Sequence, residues 1–162
     1  MAEVPQDVIT SPYKSKMFDK ELEIRDDSFA AITAASADRQ TFAWEGPFVN
    51  PSVVPLDLGN GRFTGKVILN ITDLDIADDD EEYTFVLMGH NDAEDESVVL
   101  GSLILGANEI SPASEDAVPG IFELHFSNDA QEKVWPKLTL GVLVFGTTPS
   151  LQFTAFVARH DF

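Results

Sequence analysis

Over Phe63 to Thr72 the chain alternates: Phe63, Val67, Leu69 and Ile71 take one parity, and Thr64, Lys66, Asn70 and Thr72 the other. Successive side chains of an extended strand point to opposite faces, so this period of two predicts a strand with one face in a core. Tyr83 to Gly89, Ser97 to Leu105, Ile121 to Phe126, Lys137 to Phe145 and Leu151 to Arg159 are similar blocks, alternating or short and apolar, with turn-forming residues between them. Helical periodicity is nearly absent. Asp27 to Ala37 could form a turn or two of helix, but Ile32 and Thr33 fit a strand equally well. Short strands at roughly ten-residue spacing, separated by Gly and Pro, predict an all-β, jelly-roll-like antiparallel sandwich or barrel.

Turn chemistry suggests connections. Asn60-Gly61 suits the positive φ angles of a tight hairpin between Val54 and Phe63. Thr147-Thr148-Pro149-Ser150 is short enough to make Lys137 to Phe145 and Leu151 to Arg159 antiparallel neighbours. Residues 1–17 read differently. Pro5 and Pro12 interrupt a polar stretch, which predicts an extended arm ahead of a single domain over residues 18–162. Val4, Val8, Ile9 and Tyr13 give that arm an apolar set able to bind a partner.

With no Cys among 162 residues, stability must come from packing or assembly rather than disulfides. The amino terminus carries Glu3 and Asp7 and lacks a long apolar run, so no secretory signal is expected, and no run reaches the roughly 20 apolar residues of a membrane span. The net charge of −18 is unevenly placed: between Lys66 and Lys133 there are 17 Asp and Glu and no Lys or Arg. Such a surface repels phosphate backbones and anionic headgroups, which argues against nucleic acid and membrane as partners.

The acidic run from Asp73 to Glu82 contains enough oxygen donors for a hard cation such as Ca²⁺, with Asp73, Asp75, Asp78 and Asp80 as candidate ligands. It departs from the EF-hand loop, which needs Gly at its sixth position and Glu at its twelfth, where this chain has Asp78 and Thr84. A polar loop between two strands accounts for the same residues, so no resident metal or cofactor is expected. His90, His125 and His160 fall on or at the ends of different predicted strands, with no HExxH spacing and no Gly-x-Ser-x-Gly elbow. Gly59-Asn60-Gly61 precedes a strand rather than a helix, so it is a turn and not a phosphate loop. Trp44 and Trp135 could form a sugar-stacking platform, although partial burial with a bonded indole N–H is the commoner use of such residues. Paired carboxylates of a glycosidase kind cannot be singled out among 28 acidic residues.

The succession of Phe18-Asp-Lys-Glu-Leu-Glu-Ile24-Arg-Asp-Asp, Ala34-Ala-Ser36, Asp57-Leu-Gly-Asn-Gly-Arg-Phe63, Val67-Ile-Leu-Asn-Ile71 and Thr148-Pro-Ser-Leu-Gln-Phe-Thr-Ala-Phe156 resembles the small capsid cement proteins of tailed phages, whose type member comes from a Bordetella podophage. The resemblance covers Phe18 to the end. It does not extend to the first 17 residues, the acidic Asp73 to Glu82 loop or the Ala107 to Pro119 stretch. It implies a jelly-roll or streptavidin-like fold, oligomers, attachment outside a capsid shell and no catalytic residues. The expected partners are thus the major capsid protein and further copies of the chain, a dimer ahead of a trimer. Apolar residues on both faces of Val142 to Phe145 and Leu151 to Phe156 agree with oligomers. The rival expectations are a carbohydrate-binding module or virion fibre domain, and a β-sandwich hydrolase.

Deleting Met1 to Lys16 is expected to leave the melting temperature of the β domain unchanged while lowering the oligomer mass in light scattering or the retention on sedimented capsids. The arm is too poor in apolar residues to fold alone, and would order only on a partner.

Overall fold

The computed structural model describes residues 22–33, 43–45, 55–107 and 116–159, with residues 43–45 described by their backbone. Eleven strands form among them: β1 (Glu23–Arg25), β2 (Ala43–Glu45), β3 (Leu56–Asp57), β4 (Thr64–Leu74), β5 (Glu82–His90), β6 (Ser97–Gly106), β7 (Gly120–Ser127), β8 (Asp129–Ala130), β9 (Lys133–Val134), β10 (Lys137–Phe145) and β11 (Leu151–Arg159). One sheet runs β1-β11-β4-β7, and the other runs β2-β10-β5-β6 with β3 also on β10. Every pairing is antiparallel.

The alternation predicted for residues 63–72 holds. Val67, Leu69 and Ile71 are buried in the core, whereas Asn70 and Thr72 are exposed. Their partners follow the same parity: Phe153, Ala155 and Val157 on β11, Tyr83, Phe85 and Leu87 on β5, and Leu138, Leu140, Val142 and Val144 on β10 all join one core cluster. Phe85 meets Phe153 edge to face across the two sheets, ring centroids 5.2 Å apart. Lys66 breaks the simple polar-out reading. Its stem is buried beside the sheet while Nζ pairs with Glu123 at 2.9 Å.

The architecture is the expected all-β sandwich, formed by two packed sheets. The chain crosses between sheets from β4 to β5, from β6 to β7, on the way from β7 to β10 and from β10 to β11, which is jelly-roll-like connectivity. Two local expectations need correction. β10 and β11 are not neighbours: β10 pairs with β5 and β11 with β4, so Thr147 to Ser150 bridges the sheets instead of closing a hairpin. Asn60-Gly61 closes no hairpin either, because β3 pairs with β10 and β4 with β11 and β7. In that segment the positive φ belongs to Gly59, whose N–H donates to Asp57 Oδ1 at 2.7 Å. Asp27 and Ser28 form a turn, and Ile32 pairs with Leu151 through two backbone bonds, so the strand-like reading of Ile32 stands and no helix forms over residues 27–33.

Two-residue hairpins favour positive φ at both central positions, as in the small β8–β9 ribbon, where Gln131 and Glu132 sit at +52° and +63°. A side chain with a Cβ loses roughly 1–2 kcal/mol in that region, and Gly returns roughly 0.5–1 kcal/mol of this as unfolded-state entropy. Glu132 is exposed, so Glu132→Gly is expected to stabilise the fold by about 0.5–1 kcal/mol, read as a higher urea midpoint at unchanged slope.

Candidate functional site

The acidic run forms the crossing from β4 to β5 and lies against the crossing from β10 to β11. Asp75 shapes it locally by accepting the Ala77 N–H at Oδ1, 2.9 Å, and Asp79 takes a left-handed conformation with φ of +58°. Carboxylates then reach the second crossing one by one. Asp80 accepts the Thr147 N–H at 2.9 Å and the Thr147 hydroxyl at 2.6 Å, Asp78 accepts the Thr148 hydroxyl, and Asp73 accepts the Ser150 hydroxyl at 2.6 Å. The Thr147 bonds hold the Asp80 carboxyl below its ordinary range. Beneath them the Tyr83 hydroxyl donates to the Asp75 carbonyl at 2.6 Å and accepts the Ser150 N–H at 3.1 Å. Burial, with added repulsion from Glu81, Asp75 and Asp73, pushes this phenol up to about 12.

Three of the candidate ligands, Asp73, Asp78 and Asp80, are therefore held as fasteners between two crossings, while the Asp75 carboxylate caps its own loop. Among the described residues, no three acidic or histidine side chains gather to hold a metal ion. The run contains one residue that the sequence reading did not single out. Glu81 is fully buried: its Oε1 accepts the Asp78 N–H at 3.2 Å, and its Oε2 has no hydrogen-bond partner. A signal was present, because Glu81 shares the inward parity of Tyr83, Phe85 and Leu87.

The other candidates are dispersed. Val4, Val8, Ile9, Tyr13 and His160 lie outside the described residues. Trp44 lies on β2 opposite Gly141, and its side chain is likewise outside the description. Trp135 is 2% exposed and its indole N–H donates to the Ala130 carbonyl at 2.9 Å, so the ring is a core anchor and not a sugar platform. The adjacent Asn128 is fully buried, accepting the Phe63 N–H at 2.7 Å and donating to the Gly61 carbonyl at 3.0 Å. His125 is half exposed, 3.4 Å from Glu123 Oε2, and His90 Nε2 lies 2.7 Å from the Thr139 hydroxyl.

A different surface stands out on exposure. Among the described residues β6 and β7 are terminal strands of the two sheets, and they pack together: a Cβ on Gly101 of β6 would lie 3.1 Å from Leu124 and 3.4 Å from the His125 carbonyl oxygen of β7. Val99 and Ile104 on β6, Ile121 on β7 and Val118 just before it are the exposed large apolar residues of the described chain, at 57%, 40%, 72% and 64%. β6 reads Ser-Val-Val-Leu-Gly-Ser-Leu-Ile-Leu-Gly, without a charged residue in ten positions.

No protein-family model and no curated protein matches the chain. Among solved structures it is similar to the CBM22-1 and GH10 modules of the Clostridium thermocellum endo-1,4-β-D-xylanase 10B, complexed with xylohexaose. That likeness has 9% identity and a TM-score of 0.35 over 89% of this chain, which spans 27% of the xylanase chain. At that score the likeness carries no inference about ligand or activity. None of the helices among the described residues is long and apolar enough to cross a membrane.

Burial lowers the His90 pKa from its ordinary 6.5, with Glu94 opposing and Lys137 assisting. A group whose folded pKa is depressed binds protons more readily when unfolded, so its contribution is present above 6.5 and lost as pH falls through the folded value. The urea midpoint is expected to drop as pH falls below about 6.5, and His90→Gln is expected to flatten that part of the profile.

Proposed function

We propose that this chain is a non-catalytic structural protein that binds other protein and, given its sequence resemblance to the cement proteins of tailed phages, decorates the outside of a capsid by bridging major capsid subunits. The observation that carries the protein-binding reading is the exposed apolar side chains on β6 and β7, which among the described residues are the terminal strands of their sheets. An edge strand presents unpaired backbone N–H and C=O groups, and natural proteins usually block such edges with charge, Pro or bulges. β6 has no charged residue and no Pro, and of those devices it carries one bulge, at Leu100, which is left over between the Met88–Val99 and Leu87–Gly101 pairs. An apolar strip in a chain of charge −18 is a surface suited to bury against protein.

A stiff sandwich body suits a load-bearing clamp, because force across the shell then strains the contact rather than the protein. The acidic surface suits an exterior position, where packaged DNA of the same sign does not face it. Bridging adds buried area across contacts that internal pressure pulls apart, and standard-size protein contacts bury roughly 1,600 Å² in total.

A double variant Val99→Lys/Ile104→Lys places two cations on exposed positions of the edge and should leave the fold intact. Its retention on sedimented capsids is expected to fall at least tenfold relative to the unaltered protein. Light scattering on the same variant separates loss of capsid contact from loss of contact between copies. Unchanged retention would overturn the edge as the docking surface, and binding of either protein to polysaccharide columns would favour the carbohydrate-binding alternative.

A further inference from the structure

A carboxylate removed from water is tolerated only when something compensates it: hydrogen-bond donors, a cationic side chain or a bound ion. Glu81 is fully buried with Oε2 lacking any donor, in the middle of the most acidic stretch of the chain. Among the described residues no basic side chain pairs with Glu81. The described Lys and Arg ion pairs are Arg62 with Asp129, Lys66 with Glu123, Lys133 with Glu96 and Lys137 with Glu94, all away from this crossing.

Among the described residues the one donor that reaches the Glu81 carboxylate is a backbone N–H of its own crossing. Asp78 donates its N–H to the other Glu81 oxygen, and its own carboxylate accepts from Thr148. The second crossing presses directly on Glu81. Gly146 has φ of +128°, and a Cβ there would lie 2.8 Å from Glu81 Cα and Cγ and 3.2 Å from Asp80 Oδ1. The Gly146 backbone thus lies against Glu81, and the Thr147 and Thr148 hydroxyls bond Asp80 and Asp78 beside it. Hard oxygen donors in an irregular arrangement favour Ca²⁺, which accepts six to eight oxygens at flexible angles, over Mg²⁺, which demands a near-ideal octahedron.

We propose that the joint between the β4–β5 and β10–β11 crossings binds a calcium ion, with Glu81 Oε2 as its buried ligand and Asp78 as the second carboxylate. Two carboxylates fall below the three-group gathering that the described residues lack, and the remaining ligands are neutral oxygens of the Gly146–Thr148 segment and water. Binding compensates Glu81 and ties the two sheet crossings together. The joint is therefore a stabilising site, independent of the β6–β7 edge.

The test uses the full-length protein and CaCl₂, against NaCl at matched ionic strength, with melting curves and titration calorimetry. Calcium is expected to raise the melting temperature saturably, half-maximal at roughly 0.1–1 mM, the range of weak oxygen-ligand sites. NaCl should give only the gradual rise that screening produces. Glu81→Gln keeps the shape and removes the charge, and Asp78→Asn alters an exposed residue that does not threaten folding. Each is expected to weaken calcium binding at least tenfold, and Glu81→Gln should also raise the melting temperature of the calcium-free protein. Equal shifts with calcium and matched sodium would overturn the proposal, as would undiminished calcium binding in Glu81→Gln. Should Glu81→Gln fail to fold, undiminished binding in Asp78→Asn would overturn it alone.

Discussion

The contact of Phe85 with Phe153 joins the two sheets at the centre of the core, and the rest of the molecule is arranged to keep it in register. Each ring belongs to a strand with neighbours on both sides, β5 between β10 and β6, and β11 between β1 and β4. A slip of one residue in either strand would turn its core residues toward solvent, because the side-chain period is two. Removing such a ring costs about 3–5 kcal/mol in a well-packed core, a large part of the total stability of a domain. Arg25 reinforces the same point from the edge: its guanidinium donates to the Phe153 carbonyl at 3.0 Å and lies 4.7 Å from the Phe153 ring centroid.

A sandwich whose strands alternate between sheets must carry its chain around the end of the core several times, and each crossing needs fixing without a hairpin ladder. At one end the fixing is done by short acidic and hydroxyl side chains, Asp73, Asp78 and Asp80 against Ser150, Thr148 and Thr147. At the other it is done by a buried amide, Asn128, which binds Gly61 and Phe63 while its backbone carbonyl accepts the Trp135 N–H at 2.8 Å. A buried polar group such as Asn128 specifies one arrangement because leaving it unpaired is costly. Glu81 is the exception to full pairing, which is what makes its position informative.

Much of this fold was legible in the sequence, and what was not has a physical reason. Period-two patterning located β4, β5, β6, β7, β10 and β11 within a residue or two, since a half-buried strand needs that spacing wherever it pairs. The same pattern assigns a face and not a partner, so the short Thr147-to-Ser150 link suggested a hairpin where the chain in fact changes sheets. β1, β2 and β3 are two or three residues long, too short for periodicity to register. Trp135 follows the reading its strand-end neighbours favoured, a buried ring with its indole N–H bonded. At the acidic joint the carboxylates were visible and their roles were not: composition marks a charge run, whereas only strand parity carried back from Tyr83 distinguishes the buried Glu81 from the outward Glu82.

Charge and connectivity together give the sandwich a direction. The registers place Arg62, Lys66, Lys133, Lys137 and Arg159 toward one end, with Arg159 opposite Gly65 and Lys137 opposite His90. Among the described residues the remaining basic side chain, Arg25, is buried. The opposite end carries the acidic crossing, with Leu151 opposite Leu74 and Phe145 opposite Glu82. Among the described residues that acidic end carries no Lys or Arg, so it repels a second copy presented the same way, whereas β6 itself carries no charge. The edge also runs parallel to the strands, from Val99 near one end to Ile104 near the other. A partner seated on it leaves the acidic crossing open to solvent and its ions. The acidic crossing and the proposed docking side are therefore separate surfaces, so a high net charge is compatible with the proposed contact along β6.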